Sequence, residues 1–106
     1  MNHGLSDATV AKICGVLARF PAVEKAVLYG SRARGDAEPD SDVDVAIVVR
    51  DATADTRDRI YREVADVELE TLVPLSTVVF SADDFHRLLE GERRIALDIE
   101  HEGIAL

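Results

Sequence analysis

Apolar and polar positions recur along this chain at two spacings, which predict helices in some segments and buried strands in others. A first helix is predicted to begin at Ser6, which can cap it, and to end at Pro21. Its inward positions lie three or four residues apart: Val10, Ile13, Leu17 and Phe20. Short apolar runs predict buried strands at 26–29, at 43–49 and at 75–80.

Two further helices are predicted around the last of these strands. The longer one is capped by Thr53 or Asp55 and stopped by Pro74. A short helix follows Ser81, which forms a capping-box signature with Asp84. The inward residues of these two helices are Ile60, Val64, Val67, Phe85, Leu88 and Leu89.

The end of the chain completes the predicted architecture. A last helix is expected over 93–102, where Gly103 ends it, and an apolar tail follows at 104–106. The alternating order predicts one α/β (α+β) domain over 1–106, with a small three-stranded mixed sheet flanked by helices. The tail either docks on the core or meets a partner, so a homo-oligomer stays open as an alternative.

Composition and charge narrow the classes of partner. The formal charge of −9 opposes binding to long nucleic acid, whose affinity comes from Lys and Arg contacts to phosphate. No apolar run approaches membrane-spanning length, and Met1 precedes polar residues rather than a signal-peptide pattern. The single cysteine, Cys14, cannot form an internal disulfide. A cytoplasmic protein without a membrane partner is therefore expected.

Candidate chemistry is concentrated between the first two predicted strands. Gly30 lets an anion approach the backbone without a Cβ in the way, and the Ser31 hydroxyl adds a donor beside it. Asp42 and Asp44 are two residues apart on a strand, so both carboxylates project from one face. Such a pair suits Mg²⁺ or Mn²⁺ with a shell completed by phosphate oxygens. These residues predict a site for a nucleoside triphosphate and a metal.

Two arginines follow the glycine-serine turn. Arg32 is the candidate for neutralising phosphate charge, whereas Arg34 is expected on the solvated surface.

As a set, Gly30-Ser31, ten intervening residues and Asp42-Val43-Asp44 resemble the signature of the polymerase-beta-type nucleotidyltransferase superfamily. The resemblance is closest to the minimal nucleotidyltransferases of small prokaryotic proteins. It implies that superfamily's fold, with the Gly-Ser turn holding the triphosphate of ATP. It also implies that both aspartates are catalytic and hold metal.

The resemblance further implies an activity and a partner. Members of this superfamily commonly transfer AMP from ATP to a hydroxyl. Many minimal members act as antitoxins to a helical HEPN-type toxin, by direct binding or by AMP transfer to it. An antitoxin that binds ATP and Mg²⁺ and transfers AMP to a protein hydroxyl is therefore expected.

One part of the chain departs from the family pattern. The family carries a third carboxylate on the strand after the paired aspartates, and here that strand contains no acidic residue. Ser76 or Thr77 stands roughly at that position, and a hydroxyl is a weak metal ligand and a poor base at neutral pH. A catalytically degenerate binding module that neutralises or regulates a partner by contact is the alternative hypothesis.

Overall fold

The computed structural model describes residues 5–36, 38 and 41–106. Within them, no helix is both long and apolar enough to cross a membrane. The elements follow the predicted order and add a short strand at the end. They are α1 (Asp7–Leu17), β1 (Val23–Tyr29), α2 (Ser31–Arg34), β2 (Val43–Val49), α3 (Ala54–Thr71), β3 (Leu75–Ser81), α4 (Ala82–Glu90), α5 (Arg94–Glu102) and β4 (Ile104–Ala105).

The strands form one mixed sheet in the order β3-β2-β1-β4. β1 runs antiparallel to both β2 and β4, whereas β2 and β3 are parallel. The predicted mixed sheet is confirmed, but the strand count of three was wrong, because the apolar tail pairs with 27–28 of β1 as a fourth strand. Gly103 allows this approach, since a Cβ there would overlap a methyl group of Val27 and the carbonyl oxygen of Ile99.

β1 and α1 differ from the prediction at their ends. β1 begins at Val23, three residues before the predicted start, because Val23 pairs with Val49 across an irregularity in the ladder. Polar Glu24 and Lys25 interrupt the apolar run, so the pattern of apolar residues does not predict this part of the strand. α1 ends at Leu17, and the following turn still buries Phe20 in the core.

The predicted caps of three helices are present. The side chains of Ser6, Thr53 and Ser81 accept hydrogen bonds from amide groups three residues later, at 3.1, 3.1 and 3.0 Å. Each bond satisfies an amide that the first helical turn leaves without an intrahelical partner. Local sequence therefore sets where α1, α3 and α4 begin.

The sheet separates two apolar layers, because successive residues of a strand point to opposite faces. α1 and α3 cover one face, and α4 and α5 cover the other. From β2, the first layer takes Val43, Val45, Ile47 and Val49, and the second takes Ala46 and Val48. Even-numbered residues of β2 therefore face α4 and α5, which decides where the acidic residues before Ala46 project.

Side chains of α3 cover the outer edge of β3. The amide of Val79 donates to the hydroxyl of Tyr61 at 3.0 Å, and Arg57 donates to the carbonyl oxygen of Val79 at 2.6 Å. Further along the edge, the amide of Leu75 donates to the Glu68 carboxylate at 3.2 Å. Three of the backbone groups that face away from β2 are thus bonded within the domain.

Candidate phosphate and metal site

The turn after β1 and the acidic start of β2 lie directly against each other. Gly30 ends β1 at φ 75° and ψ −153°, a backbone conformation that other residues rarely adopt. A Cβ at Gly30 would overlap the Oδ2 atom of Asp44. The absence of a side chain therefore brings the carboxylate over the turn, so one small surface combines the predicted anion-binding backbone with a predicted metal ligand.

The turn continues into the single helical turn α2. The amide of Arg34 donates to the carbonyl oxygen of Gly30 at 3.1 Å, and Gly35 closes the turn in the left-handed region at φ 83°. The first amides of a helix lie outside its own hydrogen-bond ladder, which leaves them available to an anion. α2 is too short for a large helix dipole, so any binding strength comes from individual N–H groups and the Ser31 hydroxyl.

The two acidic residues share the face of the sheet that carries α4 and α5. Asp42 is exposed just before β2, and Asp44 is half-buried on the strand. Burial raises the pKa of the Asp44 carboxyl, the charge of Asp42 raises this pKa further, and the Arg34 guanidinium partly opposes both. A cation between the two carboxylates would remove their mutual repulsion.

The donor set fits a hard divalent cation that is also bound by substrate. Mg²⁺ in phosphoryl-transfer sites is commonly held by one or two carboxylates, with phosphate oxygens and water filling the shell. Asp42 and Asp44 would supply those carboxylates. No group of three or more potential ligands suited to a metal is present among the described residues.

The position opposite Asp44 on β3 is occupied by a hydroxyl. Ser76 is the register partner of Asp44, and the alternation of side chains places both on the same face. Thr77 points the other way, and its buried Oγ1 atom has no hydrogen-bond partner among the described residues. Of the two residues expected near the third acid, only Ser76 therefore faces the site.

On the other side of Asp44, Tyr29 is a residue that sequence reasoning missed. It is the antiparallel register partner of Asp44 at the end of β1. Burial raises the pKa of the Tyr29 hydroxyl, and the negative charges of Asp44 and then Asp98 raise it further. The phenol is therefore neutral at physiological pH and is a potential hydrogen-bond donor beside the carboxylate. The effect of Asp98 on Tyr29 depends on how α5 packs against the sheet, and no local sequence motif indicates that packing.

Both arginines after the turn form hydrogen bonds within the domain. Arg32 donates through Nη2 to the carbonyl oxygen of Ser41 at 2.8 Å, so it ties the turn after β1 to the start of β2. The segment 35–41, which joins the turn to β2 and whose Gly and Pro residues indicate a loop, lies partly outside the described residues. Arg34 pairs with Glu102 of α5 at 3.2 Å and with Asp36 at 3.3 Å, which raise its pKa and keep it charged. Its charge also reaches Asp44, so Arg34, expected on the surface, contributes to the site's electrostatics.

Three solved structures with this fold are similar to the chain. A presumed nucleotidyltransferase from Sulfolobus solfataricus aligns with 99% of this chain and 86% of its own, at 16% identity and a TM-score of 0.56. A mutant of the MntA–HpeT toxin–antitoxin pair aligns with 95% of this chain and 72% of its own, at 12% identity and a TM-score of 0.59. A toxin–antitoxin structure with AMP-PNP has the same coverage, at 15% identity and a TM-score of 0.56. These likenesses establish the fold.

Sequence comparison establishes the family. A search of curated proteins found no match. The family model described as "Polymerase beta, Nucleotidyltransferase" matches residues 11–105, a range that contains the Gly30 turn, both aspartates and all strands. The chain therefore belongs to the polymerase-beta nucleotidyltransferase family.

Proposed function

We propose that this protein binds ATP with Mg²⁺ and transfers AMP to a hydroxyl of a partner protein, as an antitoxin-like minimal nucleotidyltransferase. The observation that carries the proposal is the position of the Asp44 carboxylate over the Gly30 backbone. A triphosphate lying on that turn brings its oxygens within reach of a cation held by Asp42 and Asp44. Family membership and the neighbouring structure with AMP-PNP support a nucleotide as the substrate.

Each residue then has a distinct task. The amides after Gly30 and the hydroxyl of Ser31 hold the phosphates, and Asp42 and Asp44 hold the metal, which supplies charge neutralisation at the phosphoryl group. Arg32 maintains the spacing between the turn and β2 through Ser41. In the proposed reaction the acceptor hydroxyl oxygen bonds to the α-phosphorus, the bond from that phosphorus to pyrophosphate breaks, and the hydroxyl proton is released to water.

A protein acceptor is favoured over a nucleic acid. The formal charge of −9 repels a phosphate backbone and attracts a cationic protein surface. Two of the neighbouring structures are toxin–antitoxin proteins. Together with the resemblance to minimal nucleotidyltransferases, this supports a HEPN-type toxin as the partner, in the cytoplasm.

The test is transfer of label from α-phosphate-labelled ATP to the product of the adjacent gene in the presence of Mg²⁺. We expect labelled partner with the wild type and at least about a hundredfold less with Asp44→Asn, since the metal would lose a charged ligand. Asp58→Asn removes the same charge from an exposed position on α3 and is expected to leave transfer unchanged. Equal labelling by Asp44→Asn, or none by the wild type, would contradict the proposed activity.

A second function is favoured by Ser76. With a hydroxyl facing Asp44 and no third acid on β3, the chain is a candidate for a binding module that neutralises its partner by contact. This alternative predicts that Asp42→Asn/Asp44→Asn still binds and suppresses the partner. Loss of suppression by a folded double variant would exclude contact alone.

A further inference from the structure

An exposed apolar surface lies at the carboxyl end of α3. Leu69 is 75% exposed and Leu72 is 85% exposed, the highest values among the large apolar side chains described as exposed. With Val73 and Pro74 they line a shallow depression of about 300 Å³, and we call these four residues the α3-end patch. Two adjacent leucines this exposed are a potential contact surface.

Leu72 occupies a backbone conformation that does not suit it. It caps α3 at φ 58° and ψ 24°, in the left-handed region where helices commonly place glycine. Its amide donates to the carbonyl oxygen of Glu68 at 2.8 Å, which a glycine would do equally well. Its exposed side chain therefore adds little to folding and is available to contact another molecule.

The patch lies at the same end of the sheet as the candidate site. The carbonyl oxygen of Pro74 accepts a hydrogen bond from the amide of Val43 at 2.9 Å, directly after Asp42 in the chain. Two residues beyond Pro74, Ser76 pairs with Asp44. The patch and the candidate site therefore share the end of the sheet at which β2 and β3 begin, with α3 on one face and the Asp44 side chain on the other.

The charged residues around the α3-end patch favour a cationic molecule as its occupant. Glu68 lines the depression itself, and the other charged residues in the last turns of α3, Asp66 and Glu70, are also acidic. The nearby cation Lys12 is already paired with Glu70 at 2.6 Å. A second copy of this chain would bring the same acidic residues, which would repel each other. A patch of four residues is also far smaller than the about 20–30 residues that each partner of a stable dimer contributes.

We propose that the α3-end patch is the docking surface for the protein acceptor, and that the acceptor presents apolar side chains flanked by Lys or Arg. This inference rests on the proposed function, because it assigns the partner-binding surface of that same activity. A small contact suits a transient encounter between an enzyme and its protein substrate. An acceptor docked there reaches around this end of the sheet to bring its hydroxyl to the two aspartates.

The probe for the test is an amphipathic helical peptide with leucines on one face, lysines on the other and one tyrosine. It is titrated into the ¹⁵N-labelled full chain without nucleotide, and amide shifts are followed by NMR. We expect shift changes centred on the amides of residues 69–73. A matched peptide with Glu in place of Lys is expected to bind at least about tenfold more weakly.

Leu72→Gly is the decisive variant, because it removes the apolar side chain and relieves the left-handed strain. We expect it to unfold at the same temperature as the wild type or higher, and to bind the lysine peptide about tenfold or more weakly. Leu69→Ser should weaken binding similarly. Ile95→Ala alters an exposed apolar residue on α5 and should leave binding unchanged.

Three results would overturn the proposal. They are shift changes centred away from the patch, binding that Leu72→Gly leaves intact, and a self-association in sedimentation that Leu69→Ser abolishes. Because no nucleotide is present, failure here is separate from failure of AMP transfer. If the chain binds the peptide but transfers no AMP, the docking surface is supported and the proposed AMP transfer is contradicted.

Discussion

Ser76 and Asp44 are register partners on adjacent parallel strands, and their side chains project from the same face of the sheet. Ser76→Asp should therefore place a third carboxylate beside the first two. We expect Mg²⁺ affinity, measured by calorimetry with ATP present, to rise about tenfold. The melting temperature without metal should fall, because three like charges would share one face. Ser76→Asn is the neutral control, and equal affinity in both variants would show that position 76 lies outside the metal shell.

Gly30→Ala should disrupt the fold and the site together. It forces a Cβ into the left-handed region and against Asp44, so we expect a loss of about 1–3 kcal/mol in the free energy of unfolding. Gly15→Ala is the matched control, because nothing lies within 4 Å of a Cβ at that position of α1. There, chemical denaturation should show a gain of about 0.5–1 kcal/mol. Similar changes in the two variants would argue against the close approach of Gly30 and Asp44.

Asp44→Asn should raise thermal stability in the absence of metal. The folded-state pKa of Asp44 lies above its unfolded value, so the proton binds more tightly to the folded protein. The protonated Asp44 carboxyl therefore stabilises the fold in full below the unfolded pKa, and this stabilisation is lost as the pH rises through the folded pKa. We therefore expect Asp44→Asn to melt higher than the wild type at neutral pH, with the difference shrinking in acid. Addition of Mg²⁺ and ATP should stabilise only the wild type, and a stabilisation of both proteins would place the metal elsewhere.

Thr77→Val should stabilise the protein without affecting the site. The Thr77 hydroxyl is buried without a hydrogen-bond partner among the described residues, so an isosteric methyl group removes a desolvation cost of about 1 kcal/mol. Thr71→Val is the contrasting variant, because the Thr71 hydroxyl donates to the carbonyl oxygen of Val67 at 2.7 Å. Denaturant titration should show a gain for the first variant and none for the second. A loss in Thr77→Val would indicate a partner for its hydroxyl.

Local chemistry was sufficient to predict most of the fold. Caps such as Ser6 and apolar runs such as 43–49 act over a few residues, so their signal is present in the sequence itself. The strand at 104–105 was missed because its existence depends on pairing with Val27 and Leu28 of β1, far earlier in the chain. A two-residue strand carries too little pattern of its own to be recognised.

The sequence likewise predicted one part of the candidate site and missed another. Gly30, Ser31, Asp42 and Asp44 form a motif within fifteen residues, and the motif could be read directly. Tyr29 and Arg34 acquire their relation to Asp44 through strand register and through the packing of α5, where Glu102 holds Arg34. Such relations arise between elements distant in sequence. Residue type and local spacing therefore do not reveal them.

The bonds from α3 to the edge of β3 limit how this protein can assemble with others. Three outward backbone groups of β3 are bonded to side chains of α3: both groups of Val79, to Tyr61 and Arg57, and the amide of Leu75, to Glu68. An incoming strand would have to displace these side chains before it could extend the sheet along 75–79. Tyr61→Phe/Glu68→Ala removes two of the three bonds, so we expect this variant to aggregate through the β3 edge more readily than the wild type.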